Sequence, residues 1–204
     1  MNIESFSAQT TRKNYWRDPD YVLWFIKSIC FFNLAVVINY FATRLATKNA
    51  GGYVDDLFFN ILPRIDTSFI DKYGALLLYF FTFALIVIYQ KRGPFLINCL
   101  ALLIIIRAFF INLTYLGVPE GTTQTQNFFT QGGDLFFSGH TALPFMIALV
   151  FWDNKSLRYL YLVITFIMAS QVLLGRFHYS IDVFAAPFIV YGVYSFAARF
   201  FRKN

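Results

Sequence analysis

Leu100-Ala101-Leu102-Leu103-Ile104-Ile105-Ile106 is an uninterrupted apolar run inside a longer window, Phe95 to Gly117, whose one charged residue is Arg107. Such a run lacks the period-two alternation of a membrane β-barrel strand. About 20 mostly apolar helical residues cross a hydrocarbon core of ~30 Å, and a helix pairs its backbone groups within its own segment. The window therefore predicts a membrane-spanning helix. A second unbroken run, Ala84 to Tyr89, reads the same way.

Working outward, five more windows predict spans: Val22 to Thr43, Gly74 to Gln90, Leu135 to Trp152, Leu157 to Gly175 and Ile181 to Phe201. The composition agrees, because 58% hydrophobic, 21% aromatic and only 14% charged residues are too apolar for a soluble domain of 204 residues. The expected architecture is an all-α integral membrane protein, a six-transmembrane-helix bundle over 22–201, with a tail at 1–21 and another at 202–204. No small-x-small site closes a short apolar core near the start, so the first window is read as a retained anchor. Cys30 and Cys99 fall inside windows and suggest neither a disulfide nor a metal site.

Six spans place both chain ends on one side. That side collects Arg12, Lys13, Arg17, Lys91, Arg92, Lys155, Arg158, Arg199, Arg202 and Lys203, which marks it as cytoplasmic. The net charge of +6 follows from this topology and from anionic lipid at the inner surface, so no nucleic-acid partner is expected. The opposite side, facing the periplasm, lumen or exterior, carries the longer loops.

Two polar clusters land on that outer side, Gly132-Gly133-Asp134-Leu135-Phe136-Phe137-Ser138-Gly139-His140-Thr141 and His178-Tyr179-Ser180-Ile181-Asp182-Val183, and they hold the only two histidines. Four residues apart, His178 and Asp182 share a helical face. The carboxylate can then fix one imidazole nitrogen and leave the other a better nucleophile. His140 is the candidate acid for a leaving oxygen. Ser138 and Gly139, at the head of the fourth span, offer a hydroxyl and helix-start amides to phosphate oxygens. Arg107 and Arg176 are the cations at that depth.

Blander readings exist for each. A lone interfacial histidine is often structural, an i,i+4 His/Asp pair is common on helix surfaces, and Arg107 could be a structural ion pair with Asp134 or Asp182. The convergence of both clusters and an arginine on one membrane face favours chemistry.

Together these residues resemble the type 2 phosphatidic acid phosphatase superfamily, and more closely its sphingomyelin-synthase-like branch. The first cluster is similar to that branch's Cys-Gly-Asp-x-x-Phe/Tyr-Ser-Gly-His-Thr motif, with Gly132 where the branch has Cys. The second resembles its His-Tyr-Thr-x-Asp-Val motif. Arg107 with Thr114 and Leu116-Gly117-Val118-Pro119 resembles a third motif, and Leu62-Pro63 to Asp66, continuing to Asp71, a Pro-Leu-Pro-Asp loop. The resemblance implies a six-helix bundle with cytosolic ends, an outward catalytic set of His140, His178 and Asp182, a phosphohistidine on His178, and no metal or other cofactor. Arg107, Ser138, Gly139 and Arg176 would then bind the substrate phosphate, with Asp134 near the head group.

The wider superfamily's Lys-x6-Arg-Pro motif is missing here, and Val172 stands where it has an arginine six residues before the second histidine. Fewer cations suit a phosphodiester monoanion. The expected activity is transfer of a phospho-head group from a membrane phospholipid to a lipid alcohol, ceramide or diacylglycerol, or to water. The alternatives are a lipid phosphate phosphatase and a non-catalytic lipid transporter or scaffold.

Overall fold

Pro19 opens the first helix and the Asp18 side chain accepts the Asp20 amide at 3.0 Å, so α1 (Pro19–Lys48) begins three residues before the expected window. The structure, a computed structural model, describes residues 15–122 and 133–201. Residues 1–14 of the expected first tail, the tail at 202–204, and Gly132 lie outside the described residues. After α1 come α2 (Leu57–Ile61), a π turn (Ile70–Gly74) running into α3 (Ala75–Ile88), and a 3-10 turn (Gln90–Arg92) running into α4 (Gly93–Phe110). Then follow α5 (Gly139–Val150), α6 (Lys155–Leu174) and α7 (Ser180–Phe200).

Five of these stretches, Pro19–Lys48, Ile70–Ile88, Gln90–Phe110, Lys155–Leu174 and Ser180–Phe200, are long and apolar enough to cross a membrane. Together they fit a multi-pass membrane protein. The expected span Leu135 to Trp152 is instead a helix of 12 residues, about 18 Å at 1.5 Å per residue and short of the ~30 Å core. Ser138 caps it, and the preceding Asp134 to Phe137 stretch is held in irregular form by Arg107. A short helix suffices because eight of its twelve residues are buried among its neighbours.

The third window is also shortened, since α4 ends at Phe110, seven residues before Gly117. Its tail pairs with the loop after α1: Gly51 N donates to Tyr115 O at 3.1 Å and Gly117 N to Gly52 O at 3.2 Å. A Cβ on Gly117 would lie 2.4 Å from both the Gly51 and Gly52 carbonyl oxygens, so this approach requires glycine. Arg107 therefore stands in the last turn of α4, where a cation favours the helix dipole, rather than ten residues inside the span.

α1 packs along α4, and its buried Ser28, Ala35, Thr43 and Ala46, spaced seven, eight and three residues apart, share one face. Small side chains are what allow helices to approach closely in lipid. α5 lies against α6 and α7, and α4 meets α7 around a core that includes Leu96, Phe137, Met146, Ile147, Phe151 and Val190. The outward faces remain apolar, with Phe83, Phe166 and Phe188 all exposed, as surfaces bathed in lipid are.

Contacts sort the turns into two ends. At one, Tyr21 Oη donates to Gln90 O at 3.0 Å and Arg92 grips Asp153. At the other, Gly133 N donates to Thr47 Oγ1 at 3.3 Å, Ile65 N to Leu174 O at 2.9 Å and Ser138 N to Asp182 O at 3.0 Å.

Candidate active site

The bond from Ser138 N to Asp182 O joins the heads of α5 and α7, and so brings the two histidine clusters together. The Ser138 side chain accepts from Thr141 N at 3.4 Å, which leaves the Gly139 and His140 amides, the first two of the helix, without an intrahelical partner. Nothing lies within 4 Å of a Cβ built on Gly139, so packing does not explain this glycine. The imidazoles of His140 and His178 stand 6.0 Å apart, centroid to centroid, at 60°.

His178 precedes α7 instead of riding on it. The sequence expectation of a shared helical face is corrected here: Tyr179 is the extended N-cap, and Asp182, three residues on, turns back to accept the Tyr179 amide at 3.0 Å. The same Asp182 oxygen, Oδ2, lies 3.6 Å from His178 Nδ1, an ion-pair distance slightly beyond a hydrogen bond. Asp182 is fully buried and His178 nearly so. This leaves Nε2 as the imidazole nitrogen that Asp182 does not face.

His140 has a carboxylate of its own. Its Nε2 lies 3.2 Å from Asp71 Oδ1, and that oxygen also accepts from Gln171 Nε2 at 3.3 Å. Asp71 sits in the π turn, a local form often found at functional positions. The sequence reading met Asp71 at the end of the stretch that resembles a Pro-Leu-Pro-Asp loop and gave it no role. Buried and lacking a hydrogen-bond partner are His140 Nδ1, His178 Nδ1, Asp182 Oδ1 and Gln171 Oε1.

The cations are otherwise engaged. Arg107 donates from Nε to Phe137 O at 2.8 Å, from Nη1 to Asp134 Oδ2 at 3.0 Å, from Nη2 to Asp134 Oδ1 at 3.1 Å, and from Nη2 also to the Asp134 carbonyl. The fork clamps the segment leading into Ser138. Arg176, with φ +56°, donates from Nη2 to Phe59 O at 3.1 Å and lies 5.4 Å over the Phe59 ring. It pins α2. Thus His140, His178, Asp182, Ser138 and Gly139 come together, Arg107 and Asp134 pair with each other, and Arg176 turns to α2.

Two further residues were given no role in the sequence reading. Asp56 accepts from Phe58 N at 2.8 Å and from Ser180 N at 2.7 Å, so one carboxylate caps both α2 and α7. Tyr179 donates its hydroxyl to Gly117 O at 2.9 Å and accepts from Val54 N at 3.0 Å, and burial pushes its phenol above the ordinary value. Asp56 has no sequence signature beyond a cap-forming residue near a turn, and Tyr179 stood inside the second histidine motif without a role of its own. No group of three or more His, Cys, Asp or Glu among the described residues could hold a metal ion.

Residues 131–199 match the PAP2 superfamily C-terminal family. The match covers about a third of the chain and includes Ser138, Gly139, His140, His178 and Asp182. It supports the PAP2 superfamily and a lipid phosphatase or phosphotransferase type of activity. No curated protein matches the chain. Asp71, Asp56 and Arg107 lie outside the PAP2-matching stretch yet contact it, so the site is assembled from both parts of the chain.

Proposed function

We propose that this protein is a membrane lipid phosphotransferase that moves a phospho-head group from a phospholipid to a lipid alcohol through a phosphohistidine on His178. The observation that carries this reading is the placement of the chain's only two histidines 6.0 Å apart, each beside a carboxylate. His178 Nε2 attacks phosphorus, the bond from phosphorus to the departing lipid oxygen breaks, and His140 delivers a proton to that oxygen. Asp182 stabilises the imidazolium that forms. In the second half, an acceptor hydroxyl gives its proton to His140 and attacks the phosphohistidine, which restores His178.

The open space above Gly139 and the helix-start amides suit close approach of phosphate oxygens. The engagement of Arg107 with Asp134 and of Arg176 with Phe59 favours a phosphodiester monoanion over a phosphomonoester dianion. A sphingomyelin-synthase-like transfer to ceramide or diacylglycerol fits that choice. With water as acceptor, the same intermediate gives a lipid phosphate phosphatase.

The deciding experiment supplies phospholipid, with and without ceramide or diacylglycerol, to the reconstituted enzyme and to His178→Ala, and follows lipid products by mass spectrometry. A new phospholipid that depends on the added alcohol and vanishes with His178→Ala is expected. Free phosphate alone would indicate the phosphatase, and full activity of His178→Ala would end the mechanism. We further propose that the site faces the periplasm, lumen or exterior and that both chain ends are cytoplasmic, from the loop charges. In a Cys30→Ser, Cys99→Ser background, an impermeant thiol reagent on intact cells should label Glu120→Cys and miss Lys155→Cys. The reverse pattern would invert the protein.

A further inference from the structure

We infer that the segment from Tyr53 to Phe69, centred on α2, lies in the bilayer at the boundary between headgroups and acyl chains, as a collar that sets the depth of the histidine cluster. On α2, Leu57 and Ile61 are four residues apart on one face and are 68% and 67% exposed. The opposite face is equally apolar: the Phe58 ring lies 5.0 Å from Phe184, and the Phe59 ring 5.7 Å from Tyr179. An exposed apolar face of this kind calls for a covering partner or a membrane. Protein covers one side of α2, and lipid is the occupant proposed for the other.

Continuity with the lipid-facing helices supports that occupant. Exposed Phe69 runs directly into the membrane-crossing stretch Ile70–Ile88, and the Phe58 ring packs on Phe184 of α7, a second such stretch, where Phe184 is itself exposed. The depth follows from the charges, since exposed Asp55, Arg64 and Asp66 interrupt the segment. Charges belong at the headgroup level and are costly in the hydrocarbon core, so the segment lies along the interface and does not cross. Asn60 meets this condition by donating to Asp55 Oδ1 at 3.1 Å.

The collar is tied to the corner that bears His178. Asp56 caps Ser180, Ile65 N donates to Leu174 O at 2.9 Å, Thr67 Oγ1 donates to Gln171 O at 2.9 Å, and Arg176 holds the Phe59 carbonyl. Embedding Leu57 and Ile61 therefore draws the α6–α7 corner toward the lipid phosphates. The placement does not depend on the reaction proposed above, and the two can fail separately.

The test uses the full chain, with Cys30→Ser and Cys99→Ser, in phosphatidylcholine vesicles. Leu57→Cys and, separately, Asn60→Cys are labelled with an environment-sensitive fluorophore. Quenching is measured with lipid brominated near the headgroup end of its acyl chains and with aqueous iodide. Leu57→Cys should show blue-shifted emission that brominated lipid quenches and iodide does not, with a weaker lipid effect at Asn60→Cys. Quenching of the Leu57 probe by iodide alone would place α2 in water and overturn the inference. Quenching by neither agent would show that a second protein surface covers this face, and would overturn it equally.

Discussion

Each end of the bundle carries an Arg–Asp fork, and the two differ in what surrounds them. Arg92 reaches Asp153 at 2.6 and 2.7 Å and also donates to Val150 O at 3.2 Å, but the side chains are 31% and 70% exposed. Arg107 and Asp134 are 14% and 13% exposed, and the same fork also holds the Phe137 and Asp134 carbonyls just ahead of Ser138. A similar fork is thus a surface strap at one end and the frame of the candidate site at the other. Water competes for the first pair, whereas removing one partner of the second leaves a buried charge.

The largest effect expected of this asymmetry lies in the chemistry proposed for one end alone. His140→Ala should cut turnover by the ~10² to 10⁴ usual for a general acid, and a substrate with a good leaving group should recover part of the loss in rapid-quench assays. Equal losses with poor and good leaving groups would remove His140 from the acid role.

Next comes the buried fork. Arg107→Ala should cost about 3–5 kcal/mol of stability, read by denaturant titration in detergent. Combining it with Asp134→Ala should cost less than the sum of the single changes. Arg107→Lys should fail to restore activity, because a point charge cannot hold four acceptors in one plane. Additive losses would mean that the fork does not act as a unit.

Asp71→Asn keeps the shape but removes the carboxylate beside His140. It should lower turnover by about tenfold or more, a loss of at least ~1.4 kcal/mol in transition-state stabilisation, with expression and melting unchanged. Activity at the level of the parent would reduce Asp71 to a partner of Gln171. Gly139→Ala sharpens the point from the other side. Alanine is the better helix former by up to ~1 kcal/mol and meets no neighbour here. The variant should be as stable as the parent, or more so, yet slower with lipid phosphate.

The smallest effect belongs to the exposed fork. Arg92→Ala or Asp153→Ala should change stability by ~0–1 kcal/mol and leave turnover alone. A loss as large as that of Arg107→Ala would erase the contrast between the two ends.

The sequence by itself determined that the chain folds into long apolar helices, and it singled out the two histidines that the structure brings together. Runs such as Leu100 to Ile106 leave the backbone no alternative in lipid to a helix, and a chain with two histidines has few places for this chemistry. The last two windows, Leu157 to Gly175 and Ile181 to Phe201, came within two residues of α6 and α7. Only the tertiary structure decided the length of α5, because a helix sheltered by protein need not match the bilayer and hydropathy does not report shelter. Only it decided that His178 stands before its helix, since Asp182 can either face it along a helix or cap the turn between them. It also chose Asp134 for Arg107, Phe59 for Arg176 and Asp71 for His140, contacts between residues 27 to 117 positions apart or drawn from separate helices. Hydropathy and spacing are local quantities. Which buried charge meets which is settled when the helices pack, by the need to satisfy each polar group away from water.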